Sequence, residues 1–220
     1  MSPRLLLSAA CAASFLVAAS AEAAPPERRR PVELFLGLGP GNAVCDDKKP
    51  DSDCPVGGVG TAVSFGGAWR FHRHGAVGVE LAAWTYRVRD AWKGQLTDPA
   101  TDVKFSSVYL APFIRWYFVA RPSVDAYLQA GIGVGSVKGE AKNAAGAYDA
   151  NFSGVAFPVA IGAEWYVARW FRFGPQFGTY LHRSTQVCET RNGEKICTEA
   201  SRDQALLAWR ILLNATFTFG

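Results

Sequence analysis

Leu206 to Phe219 reads LLAWRILLNATFTF. Every second residue, namely Leu207, Trp209, Ile211, Leu213, Ala215, Phe217 and Phe219, is apolar. The alternate set, Leu206, Ala208, Arg210, Leu212, Asn214, Thr216 and Thr218, collects the polar residues. A period of two belongs to a strand, whose successive side chains point to opposite faces. Two fold classes use such a stretch. A soluble protein can place it at the edge of a core. A transmembrane barrel requires it, as a strand of about ten residues with an apolar face toward lipid and a polar face toward the lumen.

The same alternation recurs along the chain, punctuated by Gly, Pro, Asp and Asn clusters. It predicts strands over 32–39, 59–71, 76–87, 105–119, 125–138, 152–167, 171–182 and 206–219. No stretch after the N-terminal segment has eighteen consecutive apolar residues, so no membrane-spanning helix is expected. The predicted connections alternate long and short. The long ones are 40–58, 90–104, 139–151 and 184–203. The short ones are His72–Gly75, Ala120–Ser123 and Ala168–Trp170. Eight antiparallel strands with alternating connections describe an up-and-down barrel.

A soluble eight-stranded carrier has the same strand count but the opposite polarity of faces. Here one face of each strand is almost free of charge. The other carries Glu33, Arg70, Glu80, Arg115, Glu164, Arg172 and Arg210, with most of the strand glycines. A narrow barrel has little interior room, so the glycine-rich set belongs inside. The charges then line the lumen, and Leu, Ile, Val, Phe and Trp face out. That arrangement needs lipid, where one outward Arg or Lys at mid-depth would cost about 2–4 kcal/mol. The outward aromatics Trp69, Phe71, Trp116, Phe118, Trp165, Trp170, Phe171, Phe173, Phe217 and Phe219 fall near the short-turn rim, as a headgroup-level girdle would. Trp92 and Phe152 are the candidates at the opposite rim. The fold class expected is all-β: an eight-stranded antiparallel transmembrane β-barrel over residues 32–220, after a signal peptide.

Residues 1–23 carry that signal. A basic start at Arg4 precedes an apolar run, and Ala21–Glu22–Ala23 is an A-x-A cleavage pattern. Residues 24–31 form a leader whose Arg28, Arg29 and Arg30 are expected to be solvated, with contact to anionic headgroups as the alternative. The formal charge of +4 is small and scattered, which argues against nucleic acid as a partner. After removal of Cys11 with the signal, Cys45, Cys54, Cys188 and Cys197 remain. Each pair is separated by nine positions. In an exported chain an even count reads as disulfides. Local pairing, Cys45–Cys54 and Cys188–Cys197, is favoured because short loops close at lower entropic cost. Cross-loop pairing such as Cys45–Cys197 stays open, because the first and last strands must be neighbours. The spacing is too wide for a zinc site, and Asp46, Asp47, Asp51 and Asp53 lack the calcium-loop pattern. No metal or cofactor is expected.

With a charged lumen, an apolar outside and a C-terminal strand of alternating aromatics, the chain resembles the small outer-membrane barrels of the OmpA/OmpX-like group. The resemblance implies residence in the bacterial outer membrane. It also implies contact with outer-membrane lipid and lipopolysaccharide, and recognition of the last strand by the barrel insertion machinery. Gly220 departs from the pattern, in which the final residue is the aromatic itself.

The expected function is structural or surface-interacting. A Glu/Arg network closes the lumen, and disulfide-tied external loops meet an extracellular partner not specified by the sequence. Two alternatives are carried. Trp84, Tyr86, Tyr109 and Tyr180 line the external half of the lumen, where a small-ligand pocket is conceivable. His182–Arg183–Ser184 resembles the H-x-S element of lipid A deacylases, implying catalysis by His182 and Ser184. Thr185 replaces the Asn that follows in that family, alternation turns His182 inward, and no third catalytic member is evident.

Overall fold

The computed structural model describes residues 31–45, 56–88, 102–143, 146–191, 194–200 and 205–220. The signal peptide, most of the leader with Arg28–Arg30, the Asp-rich segment with Cys54, and Trp92 lie outside them, as does the side chain of Cys45. The described residues form ten strands: β1 (Val32–Cys45), β2 (Val56–His72), β3 (Gly75–Val88), β4 (Asp102–Ala120), β5 (Val124–Gly131), β6 (Gly133–Asn143), β7 (Gly146–Ala168), β8 (Phe171–Arg191), β9 (Glu194–Glu199) and β10 (Ala205–Phe219). Their pairings are antiparallel, and β1 pairs with β10 from Val32↔Phe219 to Cys45↔Leu206. That last pairing closes the ring. β5 and β6 together occupy one position, and β9 extends the hairpin of β8. The barrel therefore has eight strands.

The split between β5 and β6 has a proline origin. β4 pairs with β5 at Phe113↔Gly131 and with β6 at Leu110↔Val134, the same register on both sides. Between them, Ile132 N–H donates to Pro112 C=O at 3.3 Å. Pro112 has no N–H to return the bond. On the other flank, Ala130↔Val159 and Gly133↔Ala156 again share one register, and this places Pro158 opposite Gly131. Two neighbouring prolines thus thin the ladder at one point without shifting it. A closed barrel has no edge strand on which to put them.

Burial follows the predicted parity. Leu36, Phe65, Leu81, Ile114, Val134, Ile161, Phe177 and Leu213 are exposed, while their chain neighbours point to the lumen. At the short-turn end the aromatics pack on one another, along a strand and across turns. Trp69 lies 6.0 Å from Phe71, Trp116 6.2 Å from Phe118, and Trp170 stacks on Phe217 at 5.9 Å. The lumen is filled. A Cβ at Gly135 would collide with the Tyr109 ring, and one at Gly162 with the Tyr127 ring. Small residues on the wall make room for large ones across it.

Three expectations need correction. The segments 139–151 and 184–203, read as loops, are largely strand. β6 and β7 pair up to Asn143↔Gly146, and β8 and β9 up to Arg191↔Glu194. β1 likewise runs through Pro40 to Cys45 rather than ending at Gly39. Beyond the lipid both faces of a strand meet water, so alternation vanishes while the backbone ladder continues. Phe152, a candidate for the outer rim, instead packs half-buried against the inner cluster of Trp84, Tyr109 and Tyr180.

Candidate functional site: the charged lumen

The seven charged residues read from the sequence all point into the barrel. Each is buried, and all but Arg70 are essentially inaccessible. The structure adds an eighth, Asp125, also fully buried. In the sequence it is the first residue of its predicted strand. Its parity with Tyr127 and Gln129 is the signal that turns it inward.

Toward the short-turn end the groups form one cluster. Arg172 on β8 reaches Glu33 on β1 at 2.9 Å and Asp125 on β5 at 2.5 Å. Arg70 on β2 meets the same Asp125 oxygen at 2.7 Å. Glu164 on β7 stands 3.4 Å from Arg172 Nε. Tyr117 donates to Glu33 at 2.6 Å, and Tyr166 to Asp125 at 2.9 Å. The Arg70 guanidinium also lies over the Tyr117 ring, 3.7 Å from its centroid. Such pairing is obligatory, since a buried carboxylate or guanidinium is tolerated only when paired and hydrogen-bonded.

A second cluster sits nearer mid-barrel. Arg210 on β10 pairs with Glu80 on β3 at 2.5 Å. Tyr180 on β8 donates to the other Glu80 oxygen at 2.9 Å. Gln129 joins the two clusters. Its carbonyl oxygen accepts from Arg115 at 2.8 and 3.1 Å, and its amide nitrogen donates to Glu80 at 2.9 Å. Arg115 in turn faces Glu33 at 3.6 Å. Four arginines thus meet four carboxylates, and the lumen set is formally neutral.

Above this, the aromatic rings pack on one another. Trp84 stands edge-on to Tyr109 at 5.3 Å and to Tyr180 at 5.0 Å. Tyr86 shares a 2.6 Å hydrogen bond with Ser107. The four residues weighed as a pocket lining fill the space they line. His182 is buried among them, its ring 5.6 Å from Tyr109. Neither ring nitrogen makes a hydrogen bond of good geometry. Ser184 is half-buried at a bulge where β7 and β8 slip register. His182 therefore faces protein rather than lipid, and among the described residues no acidic side chain hydrogen-bonds its ring as the partner of a base would. Among the described residues no three His, Cys, Asp or Glu side chains gather as a metal site would require.

On the external hairpin, Cys188 and Cys197 are directly opposite in the β8–β9 ladder, with Cα atoms 4.0 Å apart, and are bonded to each other. This is the local pairing for that loop. The Cys45–Cys54 pairing lies outside the described residues.

No protein-family model matches the sequence, and no curated protein matches it either. Solved structures do resemble it in fold. Neisserial surface protein A aligns with TM-score 0.56 at 8% identity, covering 86% of this chain and 97% of that one. A major outer membrane protein from Thermus thermophilus aligns with TM-score 0.56 at 12% identity, covering 86% and 99%. The outer membrane protein OprG from Pseudomonas aeruginosa gives 0.51 at 10% identity, covering 87% and 98%. At such identities the likeness speaks of fold. The chain has the eight-stranded outer-membrane barrel fold, with the lipid-type belt that such a fold carries.

Proposed function

We propose that the protein is a closed outer-membrane barrel with a structural or surface-interaction role, its lumen sealed by the Glu/Arg network. The observation that supports this reading is the charge balance across the lumen. Four arginines are matched by four buried carboxylates, tied through Gln129 and four tyrosines into one framework. An ion path would require mobile water between these groups, and eight strands leave an interior just wide enough for side chains. The sealed barrel then serves as a rigid base for the paired strands of β6–β7 and β8–β9. These present residues to an extracellular partner, with a disulfide stiffening the second hairpin. Lipid and lipopolysaccharide surround the belt, and the barrel insertion machinery reads the aromatic-rich β10.

The lipid-A-modifying reading rests on His182 and Ser184 alone and loses support from the inward, buried position of His182. The small-ligand reading loses support from the packed rings.

Planar bilayer recording tests the proposal. The reconstituted barrel is expected to show negligible conductance. Stable, resolvable single-channel openings would refute a sealed lumen. Unchanged lipid A mass spectra in cells carrying His182→Ala would remove the enzymatic alternative.

A further inference from the structure

The short-turn rim has a charge pattern that the lumen does not explain. The three turns joining β2 to β3, β4 to β5 and β7 to β8 each carry one exposed arginine: Arg73, Arg121 and Arg169. His72 and His74 flank the first. The carboxylates at this end, Glu33, Asp125 and Glu164, are all fully buried within the neutral lumen set. Among the described residues these three turns hold no acidic side chain. The opposite end differs, because its exposed Lys142, Arg87 and Arg183 are mixed with Glu189, Glu194 and Glu199.

The arginines also lie at a defined depth. Arg73 follows Phe71 by two residues, Arg121 follows Phe118 by three, and Arg169 precedes Trp170. These aromatics are exposed members of the girdle, which marks the headgroup level. At about 3.3 Å per residue, each guanidinium root lies within about 10 Å of a girdle ring along the chain. A guanidinium there matches phosphate geometry by bidentate hydrogen bonding.

We infer that this rim is a binding surface for the phosphate headgroups of anionic glycerophospholipids in the leaflet at the short-turn end. The inference rests on the membrane-barrel reading above and adds a lipid preference and a side to it. Three turns spread round the ring would each engage a headgroup, orienting the barrel and fixing its depth. Exposed charges at this spacing are screened by salt, so the preference should fade as ionic strength rises.

The test uses the full folded barrel in nanodiscs of equal phosphatidylglycerol and phosphatidylcholine, with retained lipid counted by native mass spectrometry. The expected result is several-fold enrichment of phosphatidylglycerol. R73Q/R121Q/R169Q should bring it close to parity, whereas R87Q/R183Q, at the other end, should leave it unchanged. Should the triple variant not fold, the three single variants are read instead, each expected to lower the enrichment. Parity in the parent protein, or enrichment that survives these substitutions, overturns the inference. So does full competition by millimolar inorganic phosphate, which would indicate a free-phosphate site. Preferential retention of peptidoglycan fragments over phosphatidylglycerol would also overturn it. Absence of a heat-dependent shift in gel migration would instead refute the barrel reading itself, so the two failures are distinguishable.

Discussion

Tyr180 on β8 donates a 2.9 Å hydrogen bond to Glu80 on β3, from the strand diametrically opposite in the ring. Glu80 also receives Arg210 from β10 and Gln129 from β5. One carboxylate thus gathers four walls of the barrel. In a soluble protein the core would do this with apolar side chains. Here the apolar side chains face lipid, and the lumen is held by polar ones.

Removing a partner from this carboxylate should be costly. Arg210→Ala leaves Glu80 without its counter-charge at full burial. A loss of about 3–5 kcal/mol is expected, the range for breaking a buried pair. Reversible urea unfolding in lipid vesicles measures it. A loss under about 1 kcal/mol would mean that the pair is not the tie described.

Asp125 offers a sharper comparison. Asp125→Asn keeps the shape but strips the charge shared by Arg70 and Arg172. About 3 kcal/mol or more is expected. Lys138 and Glu140 form an equally short pair at 2.5 Å on the external hairpin, yet their side chains are 45% and 34% exposed. Glu140→Gln should therefore stay within about 1 kcal/mol. Equal effects of the two substitutions in the same unfolding assay would contradict the role given to burial.

The proline seam should be visible in exchange. Ile132 N–H is held by a bond to Pro112 that is not returned, and Pro158 offers Gly131 no donor. Amides at 131–133 are expected to exchange ahead of those of Leu128 and Trp116 in the same belt. Residue-resolved hydrogen exchange by NMR in micelles checks this. Uniform protection across the belt would show that the missing bonds do not weaken it.

The Cys188–Cys197 bridge should appear as a linked peptide in non-reducing maps. Its reduction is expected to speed proteolysis of the β8–β9 hairpin and leave the heat-modifiable barrel intact. The bridge joins strands already paired above the ring and closes a loop of only nine positions, so its contribution is at most about 3 kcal/mol and local. A linked peptide joining the 45–54 region to 188–197 would refute this pairing.

Period-two patterning alone settles the strand count, the order, which face meets lipid, and the inward direction of Glu33, Arg70, Glu80, Arg115, Glu164, Arg172 and Arg210. The reason is local: in lipid, a period-two pattern has one apolar face, and any slip by one residue would reverse every side chain. That same reason explains where legibility stopped. Above the membrane both faces are wet, so 139–151 and 184–203 lack alternation and read as loops, although the ladder runs on through most of each. Asp125 sat at a predicted strand edge, where parity has no neighbours on one side to support it. Which inward side chains pair is set by the closed ring. Arg172 meets Glu33 and Asp125, and Gln129 bridges Arg115 to Glu80, because barrel closure and stagger bring together residues as far apart in the chain as Glu33 and Arg172. Spacing along the chain carries no record of those distances. The position of the β5–β6 break belongs to the same class, since it arises from prolines on two other strands that become neighbours only when the ring closes.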